Sequence, residues 1–465
     1  MDISPAGGSA DNQIDIEVES KKERRKLIIA LTWPSLAENF FASLMSMADM
    51  IMVGGLGAYG ISAVGLATQP KFIMMAAFMA MGVGTTALVA RFKGARDLDS
   101  ANNTLRQSLI LNVILTAIVC GVMVFMAEPL IRWIAGGELA EQTIMEGITY
   151  FKIQAYGFPT MSLTFTINAA LRGAGNTRAA FYNSTAANIV NVCLNYCLIN
   201  GAFGFPRLEV AGASIATVIG QFVGLLMAIY AAVWGGNYVS LKIKERWRFD
   251  FSMVRRIFNI GLPALVEQVI MRVGMLWFTT IVTALGDISY AAHMVAMNIQ
   301  QLSFTTGMAF GTAATTLMGQ SLGRKRPDLA RIYVKMTQNL SYIVSIVIAL
   351  VLFFGGSLLS GFYSNDGVII ALAAAMLKIV AVVNPVSNAR LVYVSALRGA
   401  GDARFMAVIT FIGVLLVRPF ISLLLINVFH FGLHGVWIAL VSDGLICFII
   451  AGTRYRGGKW AEIQV

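Results

Sequence analysis

The segment PSLAENFFASLMSMADMIMVGGLG at residues 34–57 returns in altered form as PALVEQVIMRVGMLWFTTIVTALG at residues 263–286. The match continues without a gap to residues 101 and 330. A second pair of segments, LRGAGNTR at 171–178 and LRGAGDAR at 397–404, matches at nearly the same offset along the chain. The chain is therefore an internal duplication, and its two halves are expected to share one structure.

Long apolar runs fill both halves. The chain has 465 residues, of which 57% are apolar and 13% charged, whereas a soluble domain carries about 25% charged residues. This composition excludes a soluble enzyme, a disordered protein and a disulfide-linked secreted module. A membrane-spanning helix needs about 20 mostly apolar residues. Twelve runs qualify, at 27–53, 61–90, 107–127, 143–169, 177–200, 210–235, 253–284, 290–320, 332–356, 368–396, 403–427 and 433–453.

We therefore predict an all-α polytopic membrane protein with twelve transmembrane helices in two pseudo-symmetric six-helix lobes. The predicted N-lobe covers 27–235 and the C-lobe 253–455, joined by a charged cytoplasmic linker at 236–252. Residues 1–26 are predicted to be a disordered cytoplasmic tail without a cleaved signal peptide, and 456–465 a C-terminal tail.

The distribution of Lys and Arg predicts the orientation. The tails and the loops on one side hold 27 of these residues, whereas the opposite side holds only Arg132 and Arg207. Positive charge collects on cytoplasmic loops, so both termini are predicted to be cytoplasmic. The same bias accounts for the net charge of +11, and no nucleic-acid partner is expected.

Two halves with an even number of spans have the same orientation. Transporters built from such parallel repeats hold their substrate near the middle of the membrane and alternate access by rocking one half against the other. A duplication kept for packing alone is the alternative.

Acidic residues inside spans are candidate functional groups, because an ionisable group in the membrane costs on the order of 3 kcal/mol. Glu38 and Asp49 are separated by nearly three full turns and share one face of span 1. Either carboxylate could carry H⁺ or Na⁺, or could form a structural hydrogen bond or ion pair. Glu267 is the repeat counterpart of Glu38 and could face a cationic substrate or pair with a neighbouring Arg or Lys.

Polar and methionine side chains within the spans are further candidates for binding an ion or a substrate. Asn188, Asn191 and Asn195 form one stripe on span 5, which could meet an ion or make structural bonds between helices. Methionine adapts its shape to different ligands. The candidate substrate cavity therefore comprises Glu38, Glu267, Asn188, Met45, Met275 and Arg272.

Several motifs resemble the MATE family, the multidrug and toxic compound extrusion transporters of bacteria. They are ADMIMVGGLG at 48–57, ALRGAGNTR at 170–178 with its copy ALRGAGDAR, GASIATVIGQ at 212–221 and AATTLMGQSLG at 313–323. The resemblance covers about residues 27–455. It implies a cation site in which an Asp of span 1 cooperates with polar residues of spans 4, 5 and 6. The matching positions are Asp49, Asn168, Asn191, Asn195 and Thr217.

The sequence departs from the family pattern because Asn195 stands where a second acid is expected. This leaves both H⁺ at Asp49 and a weaker Na⁺ site at Asp49, Asn191 and Asn195 open. In the C-lobe, Arg418 falls near the repeat counterpart of Asn191, which disfavours a cation there.

The resemblance implies a secondary active antiporter of the cytoplasmic membrane. It would be a monomer that exports cationic amphipathic drugs or toxic metabolites in exchange for H⁺ or Na⁺, with Asp49 as the coupling carboxylate. A flippase for lipid-linked precursors and a non-transporting receptor or scaffold are the alternatives. The chain contains no His/Cys metal set, nucleophile triad or P-loop, so no enzyme activity and no cofactor beyond the coupling ion is expected.

Overall fold

The computed structural model describes residues 20–135, 140–241 and 247–463. Within these ranges the chain forms α-helices joined by short turns. The helices are α1 (Lys21–Gly54), α2 (Ala58–Gly94), α3 (Leu98–Phe125), α4 (Ala127–Ala135), α5 (Glu141–Gly173), α6 (Thr177–Asn200), α7 (Glu209–Trp234), α8 (Phe251–Thr283), α9 (Asp287–Gly323), α10 (Pro327–Gly361), α11 (Gly367–Gly399), α12 (Ala403–Thr410), α13 (Arg418–Asn427) and α14 (Gly432–Arg456).

Each predicted span corresponds to one long helix, except that the eleventh span consists of α12 and α13 together. Among the described residues, nine of the twelve are long and apolar enough to cross a membrane, with α12 and α13 again counted as one. The other three, α5, α6 and α9, have 33, 24 and 37 residues but lack a stretch of that apolar, nearly uncharged composition. The chain is thus an all-helical, multi-pass membrane protein.

Local chemistry explains where the helices differ from the predicted runs. Helix α3 begins nine residues early because the Asp97 side chain accepts a hydrogen bond from the backbone N–H of Ser100 at 3.0 Å and caps the helix. The nine-residue helix α4 is too short to be found by a search for spanning runs. Between α12 and α13 the chain forms a wide π-helical segment, Phe411–Val417, immediately before Arg418 and Pro419. Proline has no N–H to donate to the preceding turn, so the regular α-helical hydrogen bonding is interrupted here. A π-helical segment is a rare form of such an interruption.

The described residues group into two compact units. The first is Ala37–Asn259, and the second comprises residues 260–463 together with 20–36. Residues 20–36 of α1 therefore group with the second unit, and the linker around Asp250 groups with the first. Residues 1–19 of the predicted N-terminal tail lie outside the described residues, and residues 21–26, which were predicted to be disordered, form the first turns of α1. The predicted lobe bounds, linker and C-terminal tail remain predictions. At the start of α8, the backbone N–H of Met253 donates to Asp250 and holds the pKa of that carboxyl below its ordinary value.

The two units repeat one close helix contact. In the first unit the hydroxyl of Thr86 on α2 donates to a carbonyl of α5 at 2.9 Å, and in the second the hydroxyl of Thr315 on α9 donates to a carbonyl of α11 at 2.8 Å. Opposite these threonines lie Gly173 and Gly399, the first glycines of the two LRGAG segments. A Cβ added at either glycine would lie 2.5 Å from the threonine carbonyl oxygen. The repeated motif therefore contains glycine because the backbones of the two helices touch.

We expect Gly173→Ala and Gly399→Ala each to destabilise the protein by about 1–3 kcal/mol, since the extra methyl group has to displace backbone. Gly121→Ala and Gly355→Ala are matched controls, because a Cβ at either position meets nothing within 4 Å. Thermal unfolding of the purified protein in detergent measures the difference. Equal melting temperatures for the two pairs of variants would contradict this account of the motif.

Candidate functional site

Four of the predicted cation-site residues lie together in the first unit. Asp49 on α1 is half-buried and accepts a hydrogen bond from Asn195 Nδ2 on α6 at 2.6 Å. Asn191 lies one turn before Asn195 on the same face of α6, and its side chain contacts Thr217 Oγ1 on α7 at 3.1 Å. Helix α6 thus connects the carboxylate of α1 to the hydroxyl of α7.

Hydrogen bonding determines how the Asn191 amide is oriented. With its nitrogen towards Asp49, the amide donates to both carboxylate oxygens at 3.0 and 3.1 Å, and its oxygen faces the Thr217 hydroxyl at 3.1 Å. The reverse orientation would place an amide oxygen against the carboxylate, where neither group can donate. The carboxylate of Asp49 therefore lies among amide donors rather than oxygen ligands.

Glycines of α7 bring Thr217 close to Asn191. A Cβ at Gly220 would lie 2.6 Å from the carbonyl oxygen of Ala187 and 2.9 Å from Asn191 Cβ. At Gly224 it would lie 2.9 Å from Ala187 Cβ. Because α6 and α7 touch along these glycines, short polar side chains are sufficient to connect them.

A lysine also lies near the carboxylate. Lys71 on α2 and Tyr150 on α5 both interact electrostatically with the Asp49 carboxylate. Within the described part of the chain, no ion pair joins Lys71 to an acid at hydrogen-bonding distance. Lys71 lies within the second predicted span, and its separation from Asp49 cannot be inferred from the sequence because the two residues are on different helices.

Asn168, the fifth predicted cation-site residue, has other partners. Its side-chain oxygen accepts a hydrogen bond from Asn183 Nδ2 at 2.8 Å, and its nitrogen donates to Ser184 Oγ at 3.5 Å. Ser184 in turn donates to Glu38 Oε1 at 2.7 Å. The resemblance to the MATE family implied that Asn168 joins the Asp49 site. Its side chain joins the network of Glu38 instead, because it contacts Asn183 and Ser184 near the start of α6.

Both predicted cavity acids are ion-paired. Arg172 Nη1 contacts both carboxylate oxygens of Glu38 at 3.2 Å. Arg398 pairs with Glu267, whose side chain is only 6% exposed. Of the alternatives that the sequence left open for these acids, the ion pair is the one present. Both arginines were counted with the loop charges, but they lie in the last turns of α5 and α11.

The remaining predicted cavity residues are accessible. Asn188 and Met45 are half-buried in the first unit. In the second unit, Arg272 is half-buried and Met275 is 45% exposed. Their role in binding a substrate remains a prediction.

The repeat counterpart of Asp49 has the opposite chemistry. Phe278 occupies the position that matches Asp49 in the duplication, and the guanidinium of Arg418 lies 5.3 Å from the centre of its ring. Arg418 pairs with the buried Asp443 on α14 at 2.6 Å. Where the first unit has a carboxylate, the second unit therefore has an aromatic ring beside an arginine that is already paired with an acid.

Few oxygen ligands are available around Asp49 among the residues that the structure describes. Within residues 20–135, 140–241 and 247–463, no group of three His, Cys, Asp or Glu side chains could hold a metal ion. The site has one carboxylate, and one further oxygen, Asn195 Oδ1, is buried without a hydrogen-bond partner.

Comparison with known proteins agrees with this architecture. The family model MatE matches residues 34–197 and 263–424, the two halves of the duplication. A probable multidrug resistance protein NorM of Thermotoga maritima is 28% identical over 455 residues, covering 96% of this chain and 95% of its own length. Multidrug resistance protein PmpM of Pseudomonas aeruginosa is 26% identical over 398 residues, which are 83% of this chain and 80% of that protein.

Solved structures show the same fold. A multidrug resistance MATE family transporter of the MOP superfamily, in an outward-facing conformation, superposes with a TM-score of 0.86 at 22% identity, covering 94% of this chain and 97% of that one. A MATE structure in complex with MaL6 also gives 0.86, at 21% identity and coverages of 94% and 97%. With a family model matching both halves, the chain belongs to the MATE family of multidrug efflux transporters.

Proposed function

We propose that this transporter exports amphipathic, drug-like compounds in exchange for H⁺, which binds and leaves at Asp49. The observation that carries the proposal is a single carboxylate of α1, inside a membrane protein, that is bonded by two amides of α6, one of which contacts Thr217 of α7. The names of the relatives, multidrug resistance proteins, support the substrate class. Its bacterial relatives support the cytoplasmic membrane as the location, and the positively charged loops support cytoplasmic termini.

Two features favour H⁺ over Na⁺. A sodium ion needs several oxygen ligands and a net negative site, whereas Asp49 faces amide N–H groups and has the cation Lys71 nearby. A proton needs one carboxylate oxygen. Once protonated, Asp49 can donate a hydrogen bond. The buried Asn195 Oδ1 has no hydrogen-bond partner, and rotation of the Asn195 amide would bring this oxygen to Asp49 as the acceptor.

Protonation would then change the contacts of α1. An ionised Asp49 accepts from both asparagines of α6, but a neutral one accepts more weakly and donates instead. The equilibrium between outward- and inward-facing forms shifts only if the ion binds the two forms with different affinity. We propose that this exchange of hydrogen bonds makes the proton affinity of the two forms different and so drives a rocker-switch movement.

Three ion-paired arginines support drug export over transport of an anionic lipid-linked precursor. A pyrophosphate-bearing substrate would require unneutralised cations in its site. Arg172, Arg398 and Arg418 are each paired with an acid instead.

The test is transport by the purified protein in vesicles, with pH and Na⁺ gradients imposed separately and a fluorescent cationic dye as substrate. Export that follows the pH gradient alone supports the proposal. Export that follows only the Na⁺ gradient would assign Na⁺ as the coupling ion. Counterflow of a lipid-linked precursor without dye transport would indicate a flippase. If neither compound shows counterflow, the proposal that this protein is a transporter of either kind is wrong.

Replacing the lysine near Asp49 should change the choice of ion. Removing a neighbouring charge of this kind strengthens cation binding by on the order of 1–2 kcal/mol, or about five- to thirtyfold. In Lys71→Gln, a Na⁺ gradient is therefore expected to stimulate export that it does not stimulate in the unmodified protein. Lys378→Gln is the matched control, because Lys378 lies within α11 of the second unit, near the ring of Phe353. If neither variant responds to Na⁺, Lys71 does not determine ion choice.

A further inference from the structure

The same three-residue cluster occurs in both units. In the first, Glu38 on α1 contacts Arg172 at the end of α5 at 3.2 Å and accepts from Ser184 Oγ on α6 at 2.7 Å. In the second unit, an acid of α8 contacts an arginine at the end of α11 and accepts from a hydroxyl on α12. The three residues are Glu267, Arg398 and Thr410, and the hydroxyl contact is 3.1 Å.

The duplication accounts for this likeness residue by residue. The two acids are matching positions of the first repeated segment, and the two arginines are matching positions of the LRGAG segments. Each hydroxyl residue follows its arginine at the same spacing along the chain. The Asp49 site, in contrast, is replaced by Phe278 and Arg418 in the second unit. The two halves have therefore kept the acid–arginine–hydroxyl cluster while their candidate ion sites have diverged.

The clusters are shielded from water. The side chains of Glu38 and Arg172 are each 15% exposed, and those of Glu267 and Arg398 are 6% and 17% exposed. For comparison, the exposed pair Arg132 and Glu141 has 41% and 63% exposure. A shielded pair keeps a defined geometry that an exposed pair does not, and losing one partner leaves an uncompensated charge. These acids are thus occupied by protein cations rather than open to a substrate.

Each cluster lies next to a weak point of its helix. The acid follows an interior proline, Pro34 in α1 or Pro263 in α8, by four residues, which is about one turn. Proline removes one backbone hydrogen bond and favours bending there. Near the same point, each helix changes unit: α1 joins the first unit at Ala37 and α8 joins the second at Ile260. The cluster therefore attaches each helix to its own unit beside a point where it can bend.

We propose that the two clusters are anchors that fix α1 and α8 to the ends of α5 and α11, so that each helix moves with its own unit during export. Arg172 and Arg398 are then positioning residues that touch neither substrate nor ion. Loss of an anchor lowers the export rate but leaves the substrate KM and the pH dependence of export unchanged. The transport readout rests on the proposed function, whereas the pairing itself does not.

Charge reversal tests the anchors. Glu38→Gln and Arg172→Gln are each expected to lower the maximal export rate by about tenfold or more, because a displaced helix loses the productive geometry. The double variant Glu38→Arg with Arg172→Glu restores the opposite charges and should recover at least about a third of the rate. The corresponding variants of Glu267 and Arg398 should behave alike. Glu141→Gln, in the exposed pair, should keep the full rate.

The thermal midpoint of the same purified proteins provides a reading that does not depend on transport. The reversed pair should melt closer to the unmodified protein than either single variant does, even where a single variant is too unstable for transport assays. If the reversed pair recovers neither stability nor rate, or if Glu38→Gln shifts the pH dependence of export, Glu38 is not an anchor and the proposal is overturned. If the unmodified protein ignores a pH gradient, the proposed H⁺ coupling fails, and the recovery by charge reversal still decides the anchor.

Discussion

Asp49→Asn is expected to abolish coupled export while leaving the protein folded in the membrane. Asparagine has nearly the same shape and still accepts a hydrogen bond from Asn195, but it cannot bind or release a proton. The expected loss is at least about a hundredfold in dye export from a drug-sensitive host, the range in which one general acid or base usually contributes. Asp287→Asn, an exposed acid at the start of α9, is the control and should export normally.

Full activity in Asp49→Asn would remove this residue from the mechanism. Loss of export together with loss of protein from the membrane would show a folding role instead. Thermal unfolding of the purified variant separates the two outcomes, because the substitution should change the free energy of unfolding by no more than about 1 kcal/mol.

The largest expected effect on stability is at the buried pair of Arg418 and Asp443. Asp443 is 3% exposed, and its replacement by Asn leaves the guanidinium of Arg418 beside Phe278 without its acid partner. Breaking a buried pair on one side typically costs about 3–5 kcal/mol. We therefore expect Asp443→Asn to lower the thermal midpoint sharply, in a protein that still inserts into the membrane.

Removing both charges should be far less harmful. Replacing a buried pair by apolar residues of similar size is often neutral or stabilising. Arg418→Met combined with Asp443→Leu should thus melt near the unmodified protein. Asp328→Asn, in an exposed pair with Arg326, should cost less than about 1 kcal/mol. A double variant as unstable as Asp443→Asn alone would show that the two side chains do more than neutralise each other.

Much of the architecture follows from the sequence for a physical reason. A helix in lipid has to satisfy its own backbone, so long apolar runs predict helices, and the duplication at residues 34 and 263 predicts two matching halves. The grouping of Asp49 with Asn191 and Asn195 was implied by the resemblance to the MATE family, whereas the spacing of the amide stripe predicts only that Asn191 and Asn195 share one face of their helix. The π-helical form of the segment before Pro419 was not predictable, since a proline predicts that the helix is interrupted but not the form of the interruption.

The partners across helices are what the sequence alone did not provide. Spacing along one helix predicts which residues share a face, but it does not give the distance from Asn168 to Asp49 or from Lys71 to Asp49. For the paired acids a signal existed and was missed. Arg172 and Arg398 are repeat counterparts, as are Ser184 and Thr410, and an acid, an arginine and a hydroxyl retained together in both halves indicate a shared contact.

The central claim is that one carboxylate exchanges a proton for the exported compound. Proton release from the purified protein, measured in weakly buffered detergent solution on addition of a cationic substrate, tests it most directly. We predict that the unmodified protein releases a proton as the substrate binds and that Asp49→Asn, at the same substrate occupancy, releases none. Equal proton release from both proteins, or none from either, would contradict the assignment of Asp49.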